Sequence, residues 1–184
     1  IFGGLKKQMN DLLIDRTPPQ NIEAEQAVLG AIFIEPESLI FASENLIPED
    51  FYRSAHQRIF SVMLKLNDLG KPVDVVTVSE ELAASNQLEN VGGISYLMEL
   101  ANSVPTAANI EYYVHIVEEK SLLRRLIRTA SEIAQEGYTR EDEVEILLSE
   151  AEKRILEVAN RKNTGAFQNI KDVLVRTYDH IEQL

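Results

Sequence analysis

Apolar residues recur along most of this chain at spacings of three and four, the pattern of a single buried helical face, and seldom in strict alternation. The clearest stripe runs Phe51, Ala55, Ile59, Val62, Met63 and Leu66, with Pro48, Glu49 and Asp50 ahead as a start and Gly70 behind as a stop. Upstream, Pro18-Pro19 blocks a helix and Asn21 is placed to cap the next one. Glu23 and Glu25 fall in its first turn, at the positive end of the dipole, and the helix ends before Pro36. A short helix is predicted over residues 38–46. Farther on, Thr77 with Glu80 fits a capping box and Asp74 offers an earlier cap. Val75, Val76 and Val78 also suit a strand, but the segment reads better as helix. After Gly92-Gly93 the stripe resumes at Ile94, Leu97, Met98, Ala101 and Val104, and Pro105 closes it. These segments delimit a helical head over residues 18–105.

From Thr106 onward no proline or glycine intervenes before Gly137, so a single helix of roughly 30 residues is predicted, well above the usual length. Its buried side changes midway. Ile110, Tyr113, Val114 and Val117 share one arc, which Arg124, Arg125, Arg128 and Glu132 occupy farther along. In the second half Leu123, Leu126, Ile127, Ala130, Ile133 and Ala134 are the apolar side. The first half should therefore dock on the head and the second on something else. After Gly137-Tyr138-Thr139 a return helix carries Val144, Leu147, Leu148, Ala151, Ile155, Val158 and Ala159, which makes an αα-hairpin over residues 106–161. Ile146 and Leu156 point off that stripe, toward solvent or a partner. Residues 162–168 read as a linker, and Asn169 can cap a last helix over residues 169–184. Its stripe of Ile170, Val173, Leu174, Tyr178 and Ile181 has no partner in the remaining sequence, so its stability must come from docking elsewhere, such as on a neighbouring subunit. Residues 1–17 read as a disordered start. Residues 1–8 are ill-matched to the rest, and Met9 looks like the natural beginning.

Composition narrows the class. With 184 residues and 45% hydrophobic content the chain can bury one sizeable core, and few glycines and prolines favour an all-α fold: a compact multi-helix head, a long αα-hairpin and a separate helix. Eighteen Lys and Arg against thirty Asp and Glu give a net charge of −12, so affinity for a phosphate backbone should be weak. The lack of cysteine suits a reducing compartment. No apolar run approaches the roughly 20 residues that span a bilayer, and the start lacks a signal peptide's order. A cytoplasmic protein without membrane insertion is expected.

Chemistry is sparse. The glycines form neither a phosphate loop nor a dinucleotide-binding turn. Of the three histidines, only Glu111 with His115 could place two ligand types on one helical face, and a surface polar pair accounts for them better. His56 has neither a nucleophile nor an oxyanion hole beside it in sequence, and packing with helix-end hydrogen bonding is its expected role. The acidic run Glu141, Asp142, Glu143 and Glu145 lacks a calcium loop's spacing and reads as helix N-terminal charge. Lys120, Arg124, Arg125 and Arg128 lie among Glu118, Glu119 and Glu132, which favours a solvated, ion-paired face over a nucleic-acid site. No catalytic, cofactor or metal residue is assigned.

Six ordered segments carry a resemblance: P-P-Q-N-I-E-A-E-Q-A-V-L-G-A from Pro18, D-F-Y-R-S-A-H-Q-R-I-F from Asp50, P-V-D-V-V-T-V from Pro72, V-G-G-I-S-Y-L from Val91, S-V-P-T-A-A-N-I from Ser103, and R-R-L-I-R-T-A from Arg124. Together they resemble the amino-terminal region of DnaB-type replicative helicases, most closely those of low-GC Gram-positive bacteria. The resemblance implies a helical head and hairpin that assemble as dimers into the collar of a hexameric ring. It implies a linker helix docked on the neighbouring subunit's motor. It also implies a primase C-terminal domain bound outside the collar, a helicase loader as a further partner, and a place with the nucleoid at replication forks. ATP and magnesium would belong to a motor domain that has no counterpart in these residues. By the same resemblance Ile127, Ile133 and Leu147 look primase-responsive, though all three also suit the hairpin core, and the off-stripe Ile146 joins them as a partner-facing position. The rival readings are a collar that itself grips DNA and a free-standing helical regulator of a helicase.

Overall fold

The structure, a computed structural model, describes residues 17–139 and 144–164, with side chains through Asn160. Among them there are seven α-helices and no strand: α1 Ile22–Ile34, α2 Ser38–Asn45, α3 Ser54–Asp68, α4 Val75–Ala84, α5 Gly93–Ala101, α6 Ile110–Thr139 and α7 Val144–Thr164. Single 3₁₀ turns stand at Pro48–Asp50 and Glu89–Val91. No helix among the described residues is long and apolar enough to cross a membrane. Residues 1–16 of the start predicted over 1–17, and the predicted helix carrying Ile170, Val173, Leu174, Tyr178 and Ile181, lie outside the described residues. Helix α7 runs through Thr164, three residues into the stretch predicted as linker.

Helix α1 is the axis of the head. Asn21 caps it through Oδ1, which accepts from Ala24 N at 3.0 Å. Ala24, Ala27, Val28, Leu29, Ala31 and Ile32 are all buried, which is how a helix apolar on nearly every side behaves when others surround it. It packs against α2, α3, α5 and α6. The crossing with α5 needs Gly30, because a Cβ there would lie 2.4 Å from both Leu100 O and Ser103 Oγ. Gly30→Ala should therefore destabilise by about 1–3 kcal/mol, the cost of overpacking exceeding the helix-propensity gain of about 1 kcal/mol. Urea unfolding measures this, and a more stable variant would show that the helices separate freely.

Helix α3 begins at Ser54, not at the Pro48 start. Phe51 fits the stripe's spacing and is buried, yet its backbone is extended, with φ −75° and ψ 140°. The cause is tertiary. Glu25 of α1 accepts from Tyr52 N at 2.6 Å and from Arg53 N at 3.4 Å, holding this stretch out of the helix. At its other end α3 closes as expected: Gly70 takes φ +64°, Gly70 N donates to Asn67 O at 2.9 Å and Lys71 N to Leu66 O at 2.9 Å. Helix α4 is helical from Val75, so the strand alternative fails. Its capping box is Asp74 with Thr77, not Thr77 with Glu80: Asp74 Oδ1 accepts from Thr77 N at 2.8 Å, and Thr77 Oγ1 accepts from Asp74 N at 3.1 Å. In α5 the buried side is Leu97 and Leu100, whereas Ile94 and Met98 face outward and Val104 is buried beyond the helix end.

Helix α6 leaves the head and forms the first arm of the hairpin. Gly137 does not end it, and helix continues to Thr139. The glycine lies beside the return helix, where an added Cβ would meet Leu147 Cδ2 at 4.0 Å.

Candidate interaction surfaces

Where α6 crosses the head, its seat is apolar and then polar. Ile110, Val114 and Val117 are buried against the core. One turn on, Ser121 Oγ donates to Asp50 Oδ1 at 2.6 Å, and Arg125 pairs with the same oxygen. Arg124 donates to the backbone oxygens of Pro19, at 2.8 Å, and of Asp50, and it lies over the Tyr52 ring at 5.7 Å from its centroid. Burial pushes the Arg124 guanidinium below its ordinary value, and the Glu25 and Asp50 carboxylates oppose that shift. Arg124 and Arg125 are thus engaged by the head, and the solvated ion-paired face expected of the basic cluster is found only at its margins, as with Lys120 and Glu119 at 4.0 Å. Arg128 is exposed.

Asp50 is held from behind. Its Oδ2 accepts from Ile47 N at 2.8 Å, and the two residues after Phe51 are fixed by Glu25. Glu25 Oε2 also meets His56 Nδ1 at 2.6 Å, and His56 Nε2 meets Tyr96 Oη at 2.7 Å with the two rings stacked. Glu25, expected only as first-turn charge, is in fact the buried centre of this network, with His56 packed as predicted. His115 pairs with Glu118 at 3.3 Å, not with Glu111, and stands edge-on to Phe41.

Past the head, α6 and α7 pack on each other. At about 100° per residue, α6 presents three faces roughly a third of a turn apart. The first is the head seat. The second, with Thr129, Ile133 and Glu136 half-buried, is the seam with α7, crossed by Arg154 Nη1 to Glu136 Oε1 at 2.8 Å. That hydrogen bond and charge raise the Arg154 value. The third face, Leu123, Ile127, Ala130 and Ala134, is uncovered. On α7 the seam is Leu147, Ala151, Arg154 and Val158, while Val144, Leu148, Ile155 and Ala159 are exposed. The predicted return stripe is therefore split, because seven apolar positions span a wider arc than one neighbouring helix covers. Both helices are right-handed and run antiparallel, so turning the same way from the seam brings their uncovered flanks to one side of the hairpin. The result is a single apolar face along both arms, with Leu148 63% and Ile155 41% exposed.

The four predicted partner positions do not form one patch. Ile127, 51% exposed, lies on the uncovered flank; Ile133 and Leu147 lie half-buried in the seam; Ile146, also 51% exposed, points to the hairpin's opposite side. Sequence reasoning missed Asp50, Ser121 and Glu25. The signal available for them was an acidic residue and a serine on otherwise apolar arcs.

A family model described as the DnaB-like helicase N terminal domain matches residues 17–119. The chain is 74% identical over 176 residues, 96% of its length, to the replicative DNA helicase DnaC of Bacillus subtilis (strain 168), and spans 39% of that protein. Its fold resembles the crystal structure of the N-terminal domain of DnaB helicase from Mycobacterium tuberculosis, with a TM-score of 0.73 at 40% identity, covering 77% of this chain and 99% of that one. It also resembles a DnaB-like replicative helicase whose structure was determined with its interactions with primase, at TM-score 0.63 and 29% identity, over 89% of this chain and 35% of that one. With more than half of its length matched by the family model, the chain belongs to the DnaB-like helicase N-terminal domain family.

Proposed function

We propose that these residues are the non-catalytic assembly and primase-interaction region of a hexameric, ATP-dependent replicative DNA helicase, acting in fork unwinding and primosome formation. The observation that carries this reading is the uncovered apolar face along both arms of the hairpin. A surface of that kind suits a symmetric contact with a second copy, and dimers made this way would build the ring. Unwinding, ATP and magnesium are assigned to a motor domain outside these residues. The helix predicted over residues 169–184 would dock on the neighbouring subunit's motor. A loader is the further partner, and the nucleoid at replication forks in the cytoplasm is the place of action. Direct DNA contact is weak in this reading, given the net charge of −12 and the engagement of Arg124 and Arg125 by the head.

Primase binding falls on the hairpin, with a division of roles. Ile146, on the side away from the apolar face, makes direct contact. Ile133 and Leu147 act through the seam, and Ile127 through pairing. The similar helicase studied with primase supports the partner's identity. Titrating the primase C-terminal domain calorimetrically tests the division. Ile146→Ala should weaken binding by about tenfold with an unchanged melting temperature, whereas Leu147→Ala should lower melting and binding together. Unaltered affinity in both the Ile146→Ala and the Ile133→Ala/Leu147→Ala variants would place the primase surface elsewhere, most naturally on the head.

A further inference from the structure

Head and hairpin share one continuous helix, so their relative angle is fixed by the bonds made where α6 leaves the head. Apolar burial along α6 ends at Val117, and the remaining attachments are polar: Ser121 and Arg125 to the Asp50 carboxylate, and Arg124 to the carbonyl oxygens of Pro19 and Asp50. We propose that this Asp50 clamp is a releasable lock that sets the angle of the hairpin to the head.

Two features make it a lock. Asp50 is anchored to the head independently of α6, through Ile47 N and the neighbouring stretch that Glu25 holds, so it presents a fixed carboxylate. Its partners on α6 are the buried Ser121 hydroxyl and two arginines, of which the Arg125 side chain is 23% exposed against 11% for Asp50. Water and salt reach the arginines from their open sides, whereas the seat of Ile110, Val114 and Val117 stays buried. With the clamp open, α6 can rock on that seat. From Arg125 to Thr139 the helix is a lever of about 21 Å, so a tilt of roughly 15° moves the tip by about 5 Å. Such a movement redirects the uncovered apolar face and changes which neighbours it can meet. The lock operates whichever partner covers that face. Asp50 acts as a positioning residue in it.

The chain has no cysteine, so nitroxide labels can be placed cleanly at Glu99→Cys on the head and Glu152→Cys on the hairpin, both exposed positions. Labelled chain diluted in unlabelled chain reports the distance within one molecule by double electron–electron resonance. The unaltered chain should give one narrow distribution. Arg124→Gln/Arg125→Gln should broaden it and shift its mean by several ångströms, and high salt should move the unaltered chain the same way, while the helical circular dichroism shows that the head stays folded. Asp50→Asn should do likewise. If that variant fails to fold, the arginine variant still decides, since it leaves the Asp50 turn intact. The same narrow distribution in the arginine variant and at high salt would show that the apolar seat alone sets the angle and would overturn the lock.

Discussion

Replacing Glu25 with alanine is expected to lower the stability of the chain by about 3–5 kcal/mol, since it strands several hydrogen-bonding groups at about 1–3 kcal/mol each. The carboxylate is the common acceptor for Tyr52 N, Arg53 N and His56 Nδ1. It is buried with His56, and the far side of that imidazole is engaged by Tyr96. Alanine would leave two part-buried backbone donors and a buried ring nitrogen without that partner, which costs more than the bonds themselves contribute. It would also release the stretch before α3, and with it Asp50, so the seat of α6 should loosen along with the core. Glu25→Gln keeps one carbonyl oxygen in place and should cost less than alanine. Urea unfolding followed by circular dichroism measures both. A Glu25→Ala midpoint within about 1 kcal/mol of the unaltered chain would mean that the network is incidental to stability.

Local signals were the most legible in the sequence. Asn21 as a cap and Gly70 as a helix end depend on residues within a few positions, and each predicts a geometry that the chain adopts. The stripe of α3 identified its core positions, Ile59, Met63 and Leu66. It misplaced the helix start because the competitor for the Tyr52 and Arg53 backbone is a carboxylate 27 and 28 residues upstream. Periodicity finds a helix and leaves open which of two apolar arcs is covered. In α5, Ile94 and Met98 share spacing with the buried Leu97 yet face outward. In α7 the split between seam and free flank follows from where α6 lies, which spacing within α7 does not encode. The clamp was the least legible, since its bonds join residues 71 to 105 positions apart through groups that elsewhere form surface ion pairs. Family resemblance, carried by whole motifs, led to the family itself, which no single stripe implied.

Aspartate at both Leu148 and Ile155 is expected to abolish pairing of the chain while leaving it folded. In the single chain these side chains are 63% and 41% exposed, so the new carboxylates stay hydrated and helix content should be unchanged. In a pair related by a two-fold axis each position counts twice. Losing the burial of four aliphatic side chains, each already partly covered, costs on the order of 5 kcal/mol, which weakens association by roughly three to four orders of magnitude. Ile155→Asp is thus a probe of association and not of the hairpin's own folding, because the seam runs through Leu147, Ala151 and Val158 instead.

Sedimentation equilibrium over micromolar to high-micromolar concentrations, on the unaltered chain and on Leu148→Asp/Ile155→Asp, tests most directly whether the uncovered hairpin face is an assembly surface. The unaltered chain is expected to show a reversible monomer–dimer equilibrium, or larger closed species built from dimers, and the variant to stay a monomer at every concentration. An unaltered chain that remains monomeric throughout, or a variant that associates as tightly as the unaltered chain, would rule out this face as the assembly surface.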